Sequence, residues 1–121
     1  MEKEVAYPIA QDPEAYTSQR CPILYALEIV GQKWKLPILW YLFTTSPTRY
    51  NELKRKLGSI TNVMLTKSLK ELEEAGLVSR VQYNEIPPRV EYSLTTAGQK
   101  LIPALNELYK WGKEQMEAKG H

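Results

Sequence analysis

A chain of 121 residues and 14.0 kDa has room for one domain with a single core and not for two. With 43% hydrophobic and 25% charged residues, its composition is that of a soluble globular protein, and no apolar run nears the roughly 20 residues of a membrane span. The acidic, proline-bearing N-terminus is unlike a signal peptide, so a cytoplasmic location without membrane contact is expected.

The net charge is only +2, but it is unevenly placed. From Lys33 to Lys70 the bases are Lys33, Lys35, Arg49, Lys54, Arg55, Lys56, Lys67 and Lys70, against Glu52 alone. Eight bases and one acid make a block of +7 inside an otherwise acidic chain. Such a block is the footprint of a polyanion site, a solvated basic face being the alternative.

Residues 1–20 are polar, hold Pro8 and Pro13 and lack periodicity, which predicts an irregular arm that orders only against a partner. Cys21-Pro22 opens a first helix over Ile23 to Val30; proline suits the first helical position, which places Cys21 at the N-cap. Leu24, Leu27 and Ile29 are expected to face inward, with Gly31 as the stop. A second helix is expected over Lys33 to Phe43, with Trp34, Ile38, Leu39 and Leu42 as its apolar face and Pro37 in or just beyond its first turn. A turn over Thr44 to Pro47 leads to a short third helix, started by Thr48 or Arg49, that runs from Tyr50 to Leu57. Tyr50, Leu53 and Leu57 share one side of it.

Gly58-Ser59-Ile60 then links to the stretch around which the chain is organised. Thr61 is an N-cap for a fourth helix that Gly76 ends in the left-handed conformation. Leu65, Leu69 and Leu72 form its buried stripe, with Met64 and Ser68 beside them. At about 100° per residue the opposite face carries Asn62, Val63, Thr66, Lys67 and Lys70, then Glu73 and Glu74. Lysines come early and acids late, the reverse of what the helix macrodipole prefers. Short polar and basic side chains on the leading turns suit a helix entering a DNA major groove, whereas an ordinary amphipathic surface helix is the plainer reading. Two short helices joined by a glycine-bearing link make a helix-turn-helix signature.

After Gly76 the period drops to two. Residues 77–83 and 89–94 read as the strands of a hairpin with its tip at Asn84 to Pro88, and the ribbon must lean on the helices to be stable. Thr95 or Thr96 caps a last helix towards Lys119, kinked or delayed by Pro103. Leu101, Ile102, Leu105, Leu108, Tyr109, Trp111 and Met116 cover more than one stripe of it. The economical explanation is a partner helix across a two-fold axis, with Trp111 as aromatic anchor; contact with the first helix is the alternative.

In this order and spacing, Cys21-Pro22, Gly31-Gln32-Lys33-Trp34, Arg49-Tyr50-Asn51-Glu52-Leu53, Met64-Leu65-Thr66, Gly76-Leu77-Val78, Pro87-Pro88-Arg89-Val90-Glu91-Tyr92-Ser93-Leu94-Thr95, Gly98 and Trp111-Gly112 resemble the HxlR-type bacterial winged-helix transcription regulators. These are relatives in fold of the MarR group. The resemblance covers residues 21–112, taken as the domain, with 113–121 as the end of the last helix and a tail. It implies a mainly α fold with a small β-hairpin wing, dimeric through the terminal helices, with Leu101, Leu105, Leu108 and Trp111 at the interface. It also implies double-stranded DNA as partner: the fourth helix in a major groove, the wing beside a minor groove. Thr61, Asn62, Val63, Thr66, Lys67 and Lys70 would then lie at bases or nearby phosphates, and Arg49 and Arg89 at the backbone.

An enzyme is not expected. The single histidine is the last residue, His121, no Cys/His cluster has metal-ligand spacing and no glycine-rich loop suits a nucleotide, so neither metal nor cofactor is implied. Cys21 is the only cysteine. A helix N-terminus beside Arg20 favours the reactive thiolate, while a buried, inert residue is the alternative; the resemblance implies sensing of electrophiles or oxidants through it. The functional expectation is therefore a homodimeric DNA-binding regulator, a repressor or autoregulator on a pseudo-palindromic operator. Its rivals are a protein–protein adaptor and a regulator controlled by a small molecule bound without a covalent bond.

Overall fold

In a computed structural model, residues 21–121 are described; the expected arm over 1–20, and Arg20 with it, lies outside them. The chain divides into two units, Met1–Gly31 and Gln32–His121.

The described part of the first unit is one helix, α1 (Pro22–Val30), with Cys21 in extended conformation at its N-cap and Pro22 at its first position. Its side chains correct one expectation. Leu24 and Leu27 are 47% and 52% exposed, and the buried residue is Val30. Apolar periodicity marks a stripe that needs cover without saying which chain supplies it.

The second unit begins with α2 (Lys35–Thr45), which starts and ends two residues later than the sequence suggested. Pro37 sits in its first turn, where a missing N–H removes no intrahelical bond; the N–H of Ile38 donates to Trp34 O at 3.0 Å. Next come β1 (Thr48–Arg49), α3 (Tyr50–Leu57), α4 (Asn62–Glu74), β2 (Val78–Tyr83) and β3 (Arg89–Leu94). The strands form one antiparallel sheet in the order β1-β3-β2. β1 was not foreseen, because two residues carry no readable period. Thr48 and Arg49 pair with Tyr92 and Glu91, so the wing is anchored to the segment that enters α3. Thr48 is buried, and its hydroxyl donates to Thr45 O at 2.6 Å.

The core lies between α2, α3, α4 and the near face of the sheet. Ile38, Leu39, Leu42, Leu53, Leu65 and Leu72 are fully buried in it, joined by Leu69, Val78, Tyr92 and Leu94. The last helix is broken in two, α5 (Thr96–Lys100) and α6 (Ile102–Ala118), with Pro103 in the opening turn of α6. Pro103 thus delays the regular helix, its missing N–H falling where no partner exists.

One joint connects the end of α4 to the start of α5. The Thr95 hydroxyl donates to Gly76 O at 2.6 Å and accepts from the N–H of Gly98 at 3.1 Å, while the N–H of Thr95 donates to Leu77 O at 3.1 Å. A Cβ on Gly98 would stand 2.3 Å from Leu77 O, so only glycine lets α5 approach this closely.

A second tie joins α2 to α4. Lys35 Nζ lies 2.9 Å from Glu71 Oε1, with the lysine side chain 6% and the glutamate 37% exposed. The Lys35 hydrogen bond holds the Glu71 carboxyl below its ordinary value of 4.5; partial burial opposes it, and the charges of Lys35 and Lys67 add to it. A depressed carboxylate stabilises the fold above its unfolded pKa, and that stabilisation fades as pH falls through the lower folded value. Glu71→Gln should therefore be less stable than wild type at neutral pH, and the two should converge on acidification below 4.5. Thermal unfolding followed against pH checks this; a gap that stays constant down to the lowest pH would show that the ionised pair adds nothing.

Candidate nucleic-acid interface

α3 and α4 are joined by a turn that every local signal supports. Gly58 ends α3 at φ 73°, its N–H donating to Lys54 O at 3.1 Å. Ile60 is buried beneath the turn, and Lys54 Nζ donates to its carbonyl at 3.3 Å. Thr61 then caps α4, its hydroxyl accepting from the N–H of Met64 at 3.1 Å, which satisfies one of the orphan donors of the first turn. At the far end Leu77 and Gly76 donate to Leu72 O and Glu73 O, each at 3.0 Å, with Gly76 at φ 81°. Both termini of α4 are thereby fixed by the residues that announced them.

Between the caps the two faces separate cleanly. Leu65, Ser68, Leu69 and Leu72 are buried, while Asn62, Val63, Thr66, Lys67 and Lys70 are exposed, Val63 to 74%. Met64, placed beside the buried stripe by the sequence, is on the exposed side of the boundary. The leading turns of α4 thus offer an amide, a methyl-bearing surface, a hydroxyl and two ammonium groups on one uncovered face.

Not every base of the positive block faces solvent. Lys35 is buried against Glu71, and Lys54 is committed to the turn. Lys33 lies over the Trp34 ring, 4.8 Å from its centre.

Arg49 and Arg89, far apart in sequence, line one open cleft between the start of α3 and the root of the wing, together with Tyr50, Glu52 and Pro88. The N–H of Arg49 donates to Glu52 Oε1 at 3.2 Å. Arg89 packs over the Tyr83 ring, 4.0 Å from its centre, and is 3.2 Å from Glu85 Oε2. Its Nε is 3.5 Å from Glu91 Oε2, close enough for charge attraction but without hydrogen-bond geometry. Two carboxylates thus share one guanidinium at the wing root.

Sequence reasoning passed over Tyr50, which it counted only as part of an apolar stripe. Its hydroxyl reaches from α3 to α4, 3.2 Å from both Asn62 O and Asn62 Oδ1 and 3.1 Å from Thr66 Oγ1. The signal that could have found it is its place at the start of α3, one helix-turn-helix link away from the exposed face of α4.

The residues assigned to a subunit interface divide. Leu108 and Trp111 are 51% and 60% exposed on α6, and Leu101 is half-buried. Leu105 is only 6% exposed, which corrects its assignment: it packs inside its own chain. The wide apolar surface of the last helix therefore serves two purposes, a core side with Ile102 and Leu105 and an outer side with Leu108 and Trp111. Tyr109 stacks on Trp40 of α2 at 5.4 Å, 11° from parallel. Cys21 is half-buried at the start of α1, and its sulfur makes no capping hydrogen bond. Among the described residues no group of three His, Cys, Asp or Glu could hold a metal ion, and no helix is long and apolar enough to cross a membrane.

A capped helix with a bare polar face, held against a shorter helix and flanked by an antiparallel wing, is the arrangement of the winged helix-turn-helix transcription regulators, which bind DNA. Residues 29–120 match the HxlR-like helix-turn-helix family, and the chain belongs to it. The uncharacterized HTH-type transcriptional regulator YkvN of Bacillus subtilis is 47% identical over 103 residues, 83% of this chain and 86% of that one. A solved structure from Porphyromonas gingivalis W83, described as a MarR-family transcriptional regulator, is 41% identical with a TM-score of 0.77, over 81% of this chain and 95% of that one. The redox regulator HypR in its oxidized form is 40% identical with a TM-score of 0.74, over 78% and 96% of the two chains. HypR is also known in a reduced form, 37% identical with a TM-score of 0.76 over 82% of this chain and 97% of that one.

Proposed function

We propose that this regulator reads its operator with the leading turns of α4, acting as a homodimer on a two-fold-related pair of half-sites. The observation that carries the reading is the division of α4: Leu65, Leu69 and Leu72 are committed to the core, while Asn62, Val63, Thr66, Lys67 and Lys70 are exposed along the turns that follow a capped end. Thr61 shapes that end. Val63 offers a methyl surface to a thymine methyl, and the lysines reach base acceptors or phosphates. Arg49 and Arg89 face the sugar–phosphate backbone from their shared cleft.

Lys67→Ala should cost about 1–3 kcal/mol on the preferred duplex and relax the choice of base there. Arg89→Ala should weaken all sequences alike. Because Glu85 and Glu91 already share its charge, its salt slope should fall by less than the ~0.9 of a full phosphate contact. Competition binding with preferred and scrambled duplexes at several salt concentrations checks both. Equal weakening of both duplexes by Lys67→Ala would make that lysine a phosphate anchor and require a different rotation of α4 in the groove.

The dimer is supported by the outer side of α6, where Leu108 and Trp111 lie one turn apart and exposed. Apolar residues of this size on a terminal helix suit an isologous contact, the same patch meeting itself across a two-fold axis. Leu108→Glu with Trp111→Glu places charge in that contact and leaves Leu105 and the core intact. Sedimentation should show a folded monomer; a folded dimer would put the interface elsewhere.

Cys21 is the candidate sensor. It stands half-buried at a helix start, and the similar HypR has been solved in oxidized and reduced forms. With one cysteine in the chain, oxidation can join it only to a thiol of another molecule, and an electrophile would alkylate it directly. Diamide or a quinone should lower the DNA affinity of the wild type and leave Cys21→Ser unchanged. Equal responses would remove the thiol and leave a non-covalently bound ligand as the signal.

A further inference from the structure

Among the described residues, the Tyr50 side chain contacts the proposed reading face of α4 from another element by hydrogen bonds that can be followed proton by proton. Its hydroxyl carries a single proton and can accept as well. Three oxygens surround it: Asn62 O and Asn62 Oδ1, both at 3.2 Å, and Thr66 Oγ1 at 3.1 Å. The two Asn62 oxygens have no hydrogen to give, so the Tyr50 proton points to them. The remaining short contact is then satisfied in one direction only: the Thr66 hydroxyl donates to the Tyr50 oxygen. One phenol therefore sets the polarity of two side chains one helical turn apart on the exposed face.

That polarity has a chemical consequence for the groove. Thr66 has turned its proton inward and presents lone pairs, so it accepts. Asn62, held through one lone pair of Oδ1, presents the other lone pair and its Nδ2 donors with the amide plane fixed. A donor beside an acceptor on a planar amide matches N7 and the N6 amine of adenine, the edge that asparagine reads with two hydrogen bonds. Guanine offers acceptors at both positions and would face Oδ1 with a second acceptor. Excluding water from the groove on docking strengthens each of these bonds, because the local dielectric falls.

We infer that Tyr50 is a positioning residue for sequence choice: its hydroxyl locks Asn62 and Thr66 in the polarity that selects adenine in the major groove. This rests on the groove placement of α4 proposed above. It assigns to a residue outside the groove face the power to decide which base is preferred, without contact to that base and without a contribution to phosphate attraction.

The test uses the full-length protein and a duplex selected by the wild type from random sequence. Asn62→Ala first locates the base pair at which preference is lost. Tyr50→Phe keeps the ring and removes only the hydroxyl, and the same duplex is also prepared with 7-deazaadenine at the located base to delete its N7 acceptor. Tyr50→Phe should lose about tenfold of the preference at the base pair that Asn62→Ala locates, within the range of one two-bond contact. Its affinity for scrambled duplex and its salt slope should stay at wild-type values. The 7-deaza substitution should weaken the wild type by a similar factor and Tyr50→Phe by clearly less.

Wild-type discrimination by Tyr50→Phe would overturn the inference, as would equal weakening on preferred and scrambled duplexes, which a merely structural role predicts. If Asn62→Ala locates a base pair without adenine, the base assignment is overturned. If Asn62→Ala leaves every preference intact, the placement of α4 itself fails, and that failure is distinguishable from failure of Tyr50 alone.

Discussion

The contact of Lys35 with Glu71 fixes how the fourth helix sits on the second. Lys35 is the first residue of α2, where the helix dipole disfavours a cation, and it is almost wholly withdrawn from water. A buried ammonium in that place requires a carboxylate close at hand, and Glu71 is held at 2.9 Å from it. This accounts for a puzzle in the charge order of α4. An acid in its second half is unfavourable to the isolated helix, yet it answers a charge on a neighbouring one. Helix propensity loses here to a tertiary ion pair.

With its inner face spent on leucines and this pair, α4 keeps an outer face that is exposed among the described residues and touched there by the Tyr50 hydroxyl. The wing is held by different means. β1 fastens it to the entrance of α3, and Arg89 is neutralised among Tyr83, Glu85 and Glu91. Positive charge is therefore distributed unequally: α4 presents exposed ammonium groups, whereas the wing root presents a cation already shared with two acids.

Much of this was legible in the sequence where a signal is local. The bounds of α3 and α4 followed from Thr61, Gly58 and Gly76, because caps and left-handed glycines act over one turn. The hairpin followed from its period of two. What was hidden depends on distance. β1 is two residues whose only recommendation is a partner strand forty residues away. Lys35 counted as a surface base because its counter-ion lies on another helix. Leu105 and Leu108 are equally apolar, and only the packed structure tells which is buried and which meets solvent. Tyr50 looked like one more apolar side chain because its polar tip matters only where two helices cross.

The joint at Thr95 and Gly98 makes α4 and α5 parts of one rigid linkage. The Thr95 hydroxyl bonds both Gly76 at the end of α4 and Gly98 at the start of α5, and the missing Cβ of Gly98 leaves no slack against Leu77 O. Sliding α5 towards α4 drives backbone into backbone, and drawing it away breaks hydrogen bonds at 2.6 and 3.1 Å. In the homodimer proposed above, joined through the outer side of α6, the spacing of the two α4 helices would be geared to the angle at which the terminal helices meet. A change of a few degrees there would then be magnified, over the length of the subunit, into a mismatch with the pitch of DNA.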